Sequence, residues 1–197
     1  AYQQKVLRGE VLTRVPIGHV RKGSTGIEMT PDRQIQEAIG GLFVRFKSCG
    51  SLRQVLLWYH EEKVLFPALR KRDGIDSVQW FLPNYQQLLR VIKNPTYAGV
   101  FAWGRTGTRS RVIDGRSRKT EGHRLAMDQW KVLLKDHHEG YISWDQYMDN
   151  IDRLASNRTK SHQTSPGAAR SGTALLAGLL RCARCGHKLH VGYRGGS

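Results

Sequence analysis

Acidic side chains are scarce in this sequence of 197 residues. The chain carries 32 Lys and Arg against 16 Asp and Glu, which gives a formal net charge of +16. Acidic residues stop altogether after Asp152, although basic residues continue as far as Arg194. Because such a field attracts polyanions, we expect nucleic acid as the binding partner.

The sequence also lacks long apolar segments, and no run approaches the roughly 18 residues of a transmembrane helix. The first ten residues, AYQQKVLRGE, are polar, so no signal peptide is expected. The chain has neither a lipidation motif nor a long Lys-rich amphipathic helix that would favour a membrane surface. We therefore expect a cytoplasmic protein without a membrane partner. Since residue 1 is Ala and not Met, we also expect a piece of a longer polypeptide.

Cysteine is rare, and three cysteines in a chain of this kind do not predict a disulfide framework. Cys49 is predicted to be a small buried residue near a helix end. Cys182 and Cys185 have the spacing of one half of a zinc site, although two lone cysteines often have no such role. His187 and His190 could complete the site, but four ligands within so short a segment would be cramped.

Apolar periodicity and capping residues predict four helices, of which the first is long and ends at Gly50. The second and third are short, and the third is polar on one side, which indicates a helix-turn-helix-like module. The connection between them, residues 64–83, is predicted as a loop that is longer than the usual tight turn. The predicted N-terminal caps are Thr30, Ser51 with Gln54, Asn84 with Gln87, and Ser143 with Gln146.

Short strands are predicted around these helices, so the expected fold class is α+β. Residues 9–30 predict extended pieces with a turn near 22–26, and two further strands are predicted near 100–104 and 130–134. The polar, basic stretch from Gly104 to Arg124 predicts a mobile surface loop. We expect a DNA-binding domain at 1–104 and a second DNA-binding module of loop, strand and helix at 105–157. A basic linker at 158–174 and a final cysteine-containing piece at 175–197 would follow.

Candidate base-reading residues lie on the third helix, away from its apolar stripe. A Gln there could read adenine and an Arg could read guanine in a major groove. A solvated face is the alternative, and from the pattern alone the more frequent one. These residues are Tyr85, Gln86, Arg90 and Lys93.

Candidate phosphate contacts lie in the predicted basic loop and in the acid-free linker. For the loop, a solvated hairpin tip is an equally good interpretation. The residues are Arg105, Arg109, Arg111, Arg116, Arg118 and Lys119 in the loop, and Arg158, Lys160 and Arg170 in the linker.

Five phrases of the sequence follow one another in a telling order. They are RVPIGHV, GSLRQVLLWYHEEKVLFP, LLRVIKNPTYAGVFAWGR, WKVLLKDHHEGYISWDQYMDNIDRL and GLLRCARCG. In this order they resemble the recombinase domain and the zinc-ribbon start of the large serine recombinases, relatives of phage integrases and transposon resolvase-invertases. The resemblance runs from about Arg8 to the end of the chain, and NPTYAG and LLRCARCG are its most specific parts.

The resemblance implies a function in site-specific DNA recombination within a mobile element. In the family, a preceding catalytic domain carries a serine that attacks a DNA phosphate and forms a phosphoserine link. The Tyr-x-Arg-x-Ser type signature and the arginine cluster of that domain are missing here, so no enzymatic activity is expected from this chain. Its N-terminal residues look like the tail of a helix that joins the two domains. Double-stranded DNA in a prokaryotic nucleoid is the implied partner.

The resemblance also assigns the cysteine pair. In the intact parent, Cys182 and Cys185 would be the first zinc ligands, and the second pair would follow Ser197. We expect no stably bound zinc in this chain alone. The parent would assemble as a dimer or tetramer on DNA, whereas this chain is expected to be a monomer.

Two other functions remain open at this level. The chain could be a stand-alone DNA-binding regulator, or a basic RNA-binding protein with a zinc knuckle. A hydrolytic or metal site at KDHHEG is disfavoured, because consecutive residues do not share a face. Asp136, His137, His138 and Glu139 are instead predicted to be exposed turn residues.

Overall fold

The computed structural model describes residues 2–10, 15–72, 75–113, 116–157 and 180, with the backbone alone at 71, 72, 75 and 111–113. Its helices and short antiparallel strands confirm the α+β class. The expected linker and the cysteine pair lie outside the described residues. The elements are α1 (Tyr2–Leu7), β1 (His19–Lys22), β2 (Gly26–Met29), α2 (Arg33–Cys49), α3 (Leu52–Glu61), β3 (Phe66–Arg72), β4 (Ile75–Phe81), α4 (Tyr85–Ile92), a 3₁₀ helix (Pro95–Ala98), β5 (Phe101–Trp103), β6 (Thr106–Ile113), β7 (Arg116–Arg124), a second 3₁₀ helix (Met127–Gln129), β8 (Val132–Leu134) and α5 (Trp144–Ser156).

The main core is built by α2, α3, α4 and α5 around fully buried aromatic and aliphatic side chains. Phe43 and Phe46 of α2, Val55 of α3 and Leu88 of α4 are at most 1% exposed. Tyr147 of α5 packs into the same cluster. Helix α5, which belongs to the predicted second module, therefore shares a core with the helices of the predicted first module. The boundary between residues 104 and 105 stays a prediction.

The helix starts follow the capping signals with two corrections. Asn84 and Gln87 form the predicted capping box of α4, and Ser143 accepts a hydrogen bond from the Gln146 N–H at the start of α5. The cap of α2 is Asp32 and not Thr30, because the Asp32 carboxylate reaches the N–H groups of the first turn. Ser51 precedes α3 but makes no side-chain capping hydrogen bond, so the capping box predicted for Ser51 and Gln54 is wrong.

Cys49 is exposed, and the prediction that it is buried is wrong. It is the last residue of α2, where polar side chains of α5 meet the helix end. Arg153 donates to the Lys47 carbonyl at 2.7 Å and Asn157 donates to the Gly50 carbonyl at 2.6 Å. These bonds satisfy the terminal carbonyl groups of α2, and no apolar surface covers the thiol.

The stretch 64–83 is not a loop, because it holds the hairpin β3–β4. Phe66 pairs with Phe81 at its root, and the two strands stay in register up to Arg72 opposite Ile75. The signal for this hairpin is the dipeptide Asp73-Gly74, a strong predictor of a tight turn between extended segments.

The predicted loop from Gly104 to Arg124 is likewise a hairpin. Strands β6 and β7 pair antiparallel from Thr106 opposite Arg124 to Ile113 opposite Arg116, with one irregularity near Gly107. A second Asp-Gly dipeptide, at 114–115, stands between the strands in the sequence. The stretch 104–124 did not predict strands because of its polar composition. The described β7 side chains are almost all exposed, so no apolar alternation marks the strand.

The phrase NPTYAG forms a tight connection from α4 to β5. Asn94 accepts a hydrogen bond from the Thr96 N–H, and Pro95 occupies the first turn of the 3₁₀ helix. Tyr97 is buried and its hydroxyl donates to the Ile17 carbonyl at 2.8 Å. Gly99 has a φ of 71°, and a β-carbon there would lie 2.5 Å from the His138 carbonyl oxygen. The motif thus joins three separate segments, and only glycine fits its last position.

The expected strands near the N-terminus and around residues 100 and 132 are present. Strands β1 and β2 form a hairpin with its turn at 23–25, and β5 pairs with β8 as a short ribbon. Val6 of α1 packs on this ribbon against Phe101 and Val132, forming a small second core. Among the described residues, none of the helices combines the length and apolar character that crossing a bilayer requires.

Candidate nucleic-acid interface

Helix α4 presents a polar face to solvent. Its buried side chains are Leu88, Val91 and Ile92. Tyr85, Gln86 and Arg90 are exposed, as their positions off the apolar stripe predict. Lys93 is half-buried where the helix ends, and its carbonyl accepts the Tyr147 hydroxyl at 3.3 Å. The first three side chains are thus free to meet a ligand along one helix face, and Lys93 marks the end of that face.

The hairpin β6–β7 carries cations on both of its faces. Arg109 lies opposite Thr120, and alternate residues along β7 bring Arg118 and Arg116 to that same face. Lys119 lies opposite Ser110 on the other face. All four cations are exposed. Arg111 lies opposite Arg118 in the backbone register.

Arg109, Arg116, Arg118 and Lys119 have no acidic partner in the described part of the chain. The ion pairs found there are Arg8 with Glu10 and Lys22 with Glu28, both remote from the hairpin in sequence. An exposed ribbon with unneutralised guanidinium groups is a ready surface for phosphate oxygens, which arginine binds with two parallel hydrogen bonds.

The root of the hairpin adjoins the end of α4. Burial raises the pKa of Tyr147 to about 12, and the nearby positive charges of Arg105 and Arg124 act in the opposite direction. The same tyrosine hydroxyl contacts the Lys93 carbonyl at 3.3 Å. Arg105 and Arg124 at the root of the hairpin therefore act electrostatically on the same hydroxyl group that contacts the C-terminal end of α4, which places the root of the hairpin near the end of the helix.

The hairpin β3–β4 adds cations that the sequence interpretation did not include. Arg70 is exposed, and its guanidinium carbon lies 5.1 Å from the centre of the Phe81 ring. Lys71 and Arg72 follow on the same strand. Because an arginine held over an aromatic ring keeps its edge free for hydrogen bonds, Arg70 is a further candidate phosphate contact. The Asp73-Gly74 turn signal could have revealed this hairpin.

The KDHHEG segment is a structural junction. Asp136 and Glu139 are exposed as expected, but His137 and His138 are half-buried, which corrects the prediction for these two. His138 Nε2 contacts the Thr96 carbonyl at 2.8 Å, and burial lowers the pKa of His138. The imidazoles lie partly inside because they bridge to backbone carbonyls of other segments.

A third histidine lies close to this junction. His19 is buried against the rings of Tyr97, His138 and Tyr141, with centroids 5.3–5.4 Å apart. Burial lowers the pKa of His19 to about 4, and His138 acts in the same direction. Among the described residues, no three His, Cys, Asp or Glu side chains are grouped so that they could hold a metal ion.

The remaining predicted contacts lie outside the described residues. They are Arg158, Lys160 and Arg170 of the linker, and the expected zinc ligands Cys182 and Cys185. Their roles stay predictions, as do those of the residues on α4 and on the hairpin.

A basic α+β domain that exposes a polar helix beside a cationic ribbon has the form of a nucleic-acid-binding module. Residues 34–157 match the family model described as Recombinase. The chain therefore belongs to this family, the recombinase domain of the large serine recombinases, and the resemblance found in the sequence is confirmed for this domain.

Relatives extend the comparison over nearly the whole chain. A protein of Sinorhizobium fredii (strain NBRC 101917 / NGR234), described as uncharacterized protein y4bA/y4pH, is 38% identical over 194 residues. The match covers 96% of this chain but only 27% of that protein. The chain thus spans about a quarter of the length of its curated relative.

Two solved structures share the fold. One comes from work described as "Sequence Requirements of the Listeria innocua prophage attP site", with a TM-score of 0.51 and 13% identity. The other is described as "Crystal Structure of a LSR-DNA Complex", with a TM-score of 0.50 and 14% identity. Each match covers 94% of this chain, and 61% and 45% of the respective neighbour. At this identity, the likeness supports the fold alone.

Proposed function

We propose that this chain is the DNA-binding portion of a site-specific serine recombinase that recognises attachment or resolution sites for integration, excision or inversion. Family membership supports a role in recombination. The observation that carries the DNA-binding part is the exposed cationic ribbon β6–β7, whose root shares Tyr147 with the end of α4. A stand-alone DNA-binding regulator built on the same domain is the alternative, and a catalytic serine domain encoded in frame upstream would exclude it.

The proposed division of work follows from the two shapes. The polar face of α4, with Gln86 and Arg90, reads base edges in a major groove, which is wide enough for one helix or one two-stranded ribbon. The ribbon, roughly 25–30 Å long at about 3.3 Å per residue, follows the backbone and places Arg109, Arg116 and Arg118 on phosphates. Arg158, Lys160 and Arg170 extend this contact along the duplex, and Arg70 adds to it.

The parent polypeptide in this proposal contains more than the present chain. A catalytic serine domain precedes it and cuts DNA through a phosphoserine link. A zinc ribbon, whose first ligands are Cys182 and Cys185, follows it. Thiolate pairs at this spacing suit tetrahedral zinc. The parent acts as a dimer or tetramer on DNA, and this chain alone binds without cutting.

Salt-dependent binding to duplex DNA tests the proposal. The triple variant Arg109→Ala/Arg116→Ala/Arg118→Ala removes three proposed phosphate contacts from one ribbon face. We expect at least about tenfold weaker binding, and a slope of log affinity against log salt that is shallower by roughly 3. Affinities measured by fluorescence anisotropy between low and moderate salt provide both values.

The matched control removes the same charge elsewhere. Arg33→Ala/Lys47→Ala/Arg53→Ala changes three exposed cations of α2 and α3. We expect a small effect of net charge and an unchanged slope. Equal losses for the two triple variants would contradict the proposed interface. Equal affinity of the unaltered chain for duplex DNA and for structured RNA would instead favour the RNA-binding alternative.

A further inference from the structure

We propose that the ribbon β5–β8 is a docking platform that holds α1 in one orientation, with Gly9 and His137 as the positioning residues that set it. Helix α1 comprises Tyr2–Leu7 among the residues that the structure describes. The contacts that it makes with the rest of the domain decide the direction in which it lies.

The first contribution is apolar packing on one side of α1. Val6 is 6% exposed and lies against Phe101 of β5 and Val132 of β8. The ring of Tyr2 meets the edge of the Trp103 ring, with centroids 6.1 Å apart. Two contacts, one turn apart on the helix, fix the face that α1 turns toward the ribbon.

The second contribution is the way in which α1 ends. The N–H of Gly9 donates to the Val6 carbonyl at 3.0 Å, and the N–H of Glu10 donates to the Lys5 carbonyl at 3.0 Å. Gly9 has a φ of 75°. This pair of bonds around a left-handed residue closes a helix end and reverses the chain direction, and glycine adopts that backbone conformation at little cost.

The third contribution is the imidazole of His137, which reaches the same glycine. His137 Nε2 donates to the Gly9 carbonyl at 3.2 Å. A β-carbon on Gly9 would lie 2.6 Å from Nε2 and 2.7 Å from the neighbouring ring carbon. Gly9 is thus required twice, once by its backbone angle and once by the close approach of the ring.

His137 is itself held from three directions. Its N–H donates to the Gly99 carbonyl at 2.9 Å, and its ring lies 5.4 Å from that of Phe101. Its Nδ1 lies 3.1 Å from Nδ1 of His138, whose other ring nitrogen contacts Thr96. The end of α1 is therefore connected through His137 to Gly99 of the NPTYAG segment and to Phe101 of β5.

The ribbon β5–β8 is also directly connected in the chain to the hairpin β6–β7, the candidate DNA-binding ribbon. Strand β5 ends at Trp103, and β6 begins at Thr106 after only two residues. The direction of α1 is thus fixed with respect to the root of the ribbon β6–β7. On the proposed function, on which this step rests, α1 joins the catalytic domain, so Gly9 and His137 set how that domain stands relative to the bound duplex.

Hydrogen–deuterium exchange of the chain without DNA tests the docking. The variant Gly9→Ala should speed exchange of the Val6–Glu10 amides about tenfold or more, because the clash with His137 lifts the helix end. Gly122→Ala is the matched control, since Gly122 has a φ of 80° but nothing within 4 Å of its would-be β-carbon. Amides of α2 and α4 report global unfolding and should not change.

A double variant separates docking from simple backbone strain. In a His137→Ala background the ring that would meet the added methyl group is gone, so Gly9→Ala should add much less, about threefold or less. Equal effects in both backgrounds, or equal effects of Gly9→Ala and Gly122→Ala, would overturn the inference. Val6→Ala offers a second route, and it should release α1 while Gly9 stays intact.

DNA affinity distinguishes this inference from the proposed function. Gly9 belongs to none of the proposed DNA contacts, so Gly9→Ala should bind duplex DNA within about twofold of the unaltered chain. A chain that binds no DNA would refute the proposed function and leave the exchange result standing. Unchanged exchange in Gly9→Ala with intact DNA binding would refute the docking alone.

Discussion

The helical core and the basic hairpins of this domain are specified in opposite ways. In the core, α2, α3, α4 and α5 bury Phe43, Phe46, Leu88 and Tyr147 almost completely. In the hairpin β6–β7, the described side chains are almost all exposed, and cations outnumber acids. Apolar periodicity creates the first region, whereas backbone pairing between two strands with almost fully exposed side chains creates the second. Stability and binding are therefore carried by different parts of the chain.

The largest effect is expected from shortening a core side chain, and it tests whether the core rather than the hairpin stabilises the fold. Phe46→Ala removes a side chain that is 0% exposed, and the cavity should cost about 3–5 kcal/mol of unfolding free energy. Arg118→Ala on the hairpin should change that free energy by less than about 0.5 kcal/mol, because the side chain is exposed. Urea unfolding followed by circular dichroism measures both.

For DNA affinity the order of the two variants should be the reverse of their order for stability. Phe46→Ala, where it remains folded, should keep its affinity for duplex DNA, and Arg118→Ala should lose part of it. If Arg118→Ala destabilised the fold as strongly as Phe46→Ala, the separation between a stabilising core and a binding ribbon would be wrong.

Wherever apolar spacing carries the information, the sequence predicts this fold well. The helix starts at Asn84 and Ser143 and the strands around Phe101 and Val132 are found as predicted. The hairpin β6–β7 was missed, because a strand with solvent on both faces has no apolar alternation to reveal it. The hairpin β3–β4 was missed although Phe66 at its root is buried in the core. The proximity of Tyr147 to the end of α4 and to the root of the hairpin could not be predicted either, since it depends on the packing of α5, which begins more than 50 residues after α4 ends.

The second largest expected effect is a loss of stability at acidic pH, caused by the buried side chain of His19. His19 has a pKa of about 4 in the folded chain, below the ordinary value of 6.5, because burial disfavours its charged form. Above pH 6.5 the imidazole is neutral in both states and its full contribution is present. As the pH falls from 6.5 to 4, His19 becomes protonated in the unfolded state but stays largely neutral in the folded state. The unfolding free energy should fall by about 3 kcal/mol over this interval.

A ring that does not titrate provides the control for this effect. His19→Phe should flatten the pH dependence between 6.5 and 4, and the lowered pKa of His138 should leave a smaller loss in the same direction. An identical pH profile for His19→Phe and the unaltered chain would show that burial of His19 does not cause the loss.

The smallest expected effect concerns helix capping. It tests whether a capping residue stabilises the fold when its side chain makes no capping hydrogen bond. Asn84 accepts from the Gln87 N–H at 3.0 Å, and the Gln87 side chain accepts from the Asn84 N–H at 2.8 Å. Asn84→Ala should therefore cost about 1 kcal/mol. Ser51 has the same type of signal but no capping bond, so Ser51→Ala should cost less than half of that. Equal losses in thermal unfolding would mean that Ser51 caps α3 in solution, and the helices would then owe more to local signals than to the core they share.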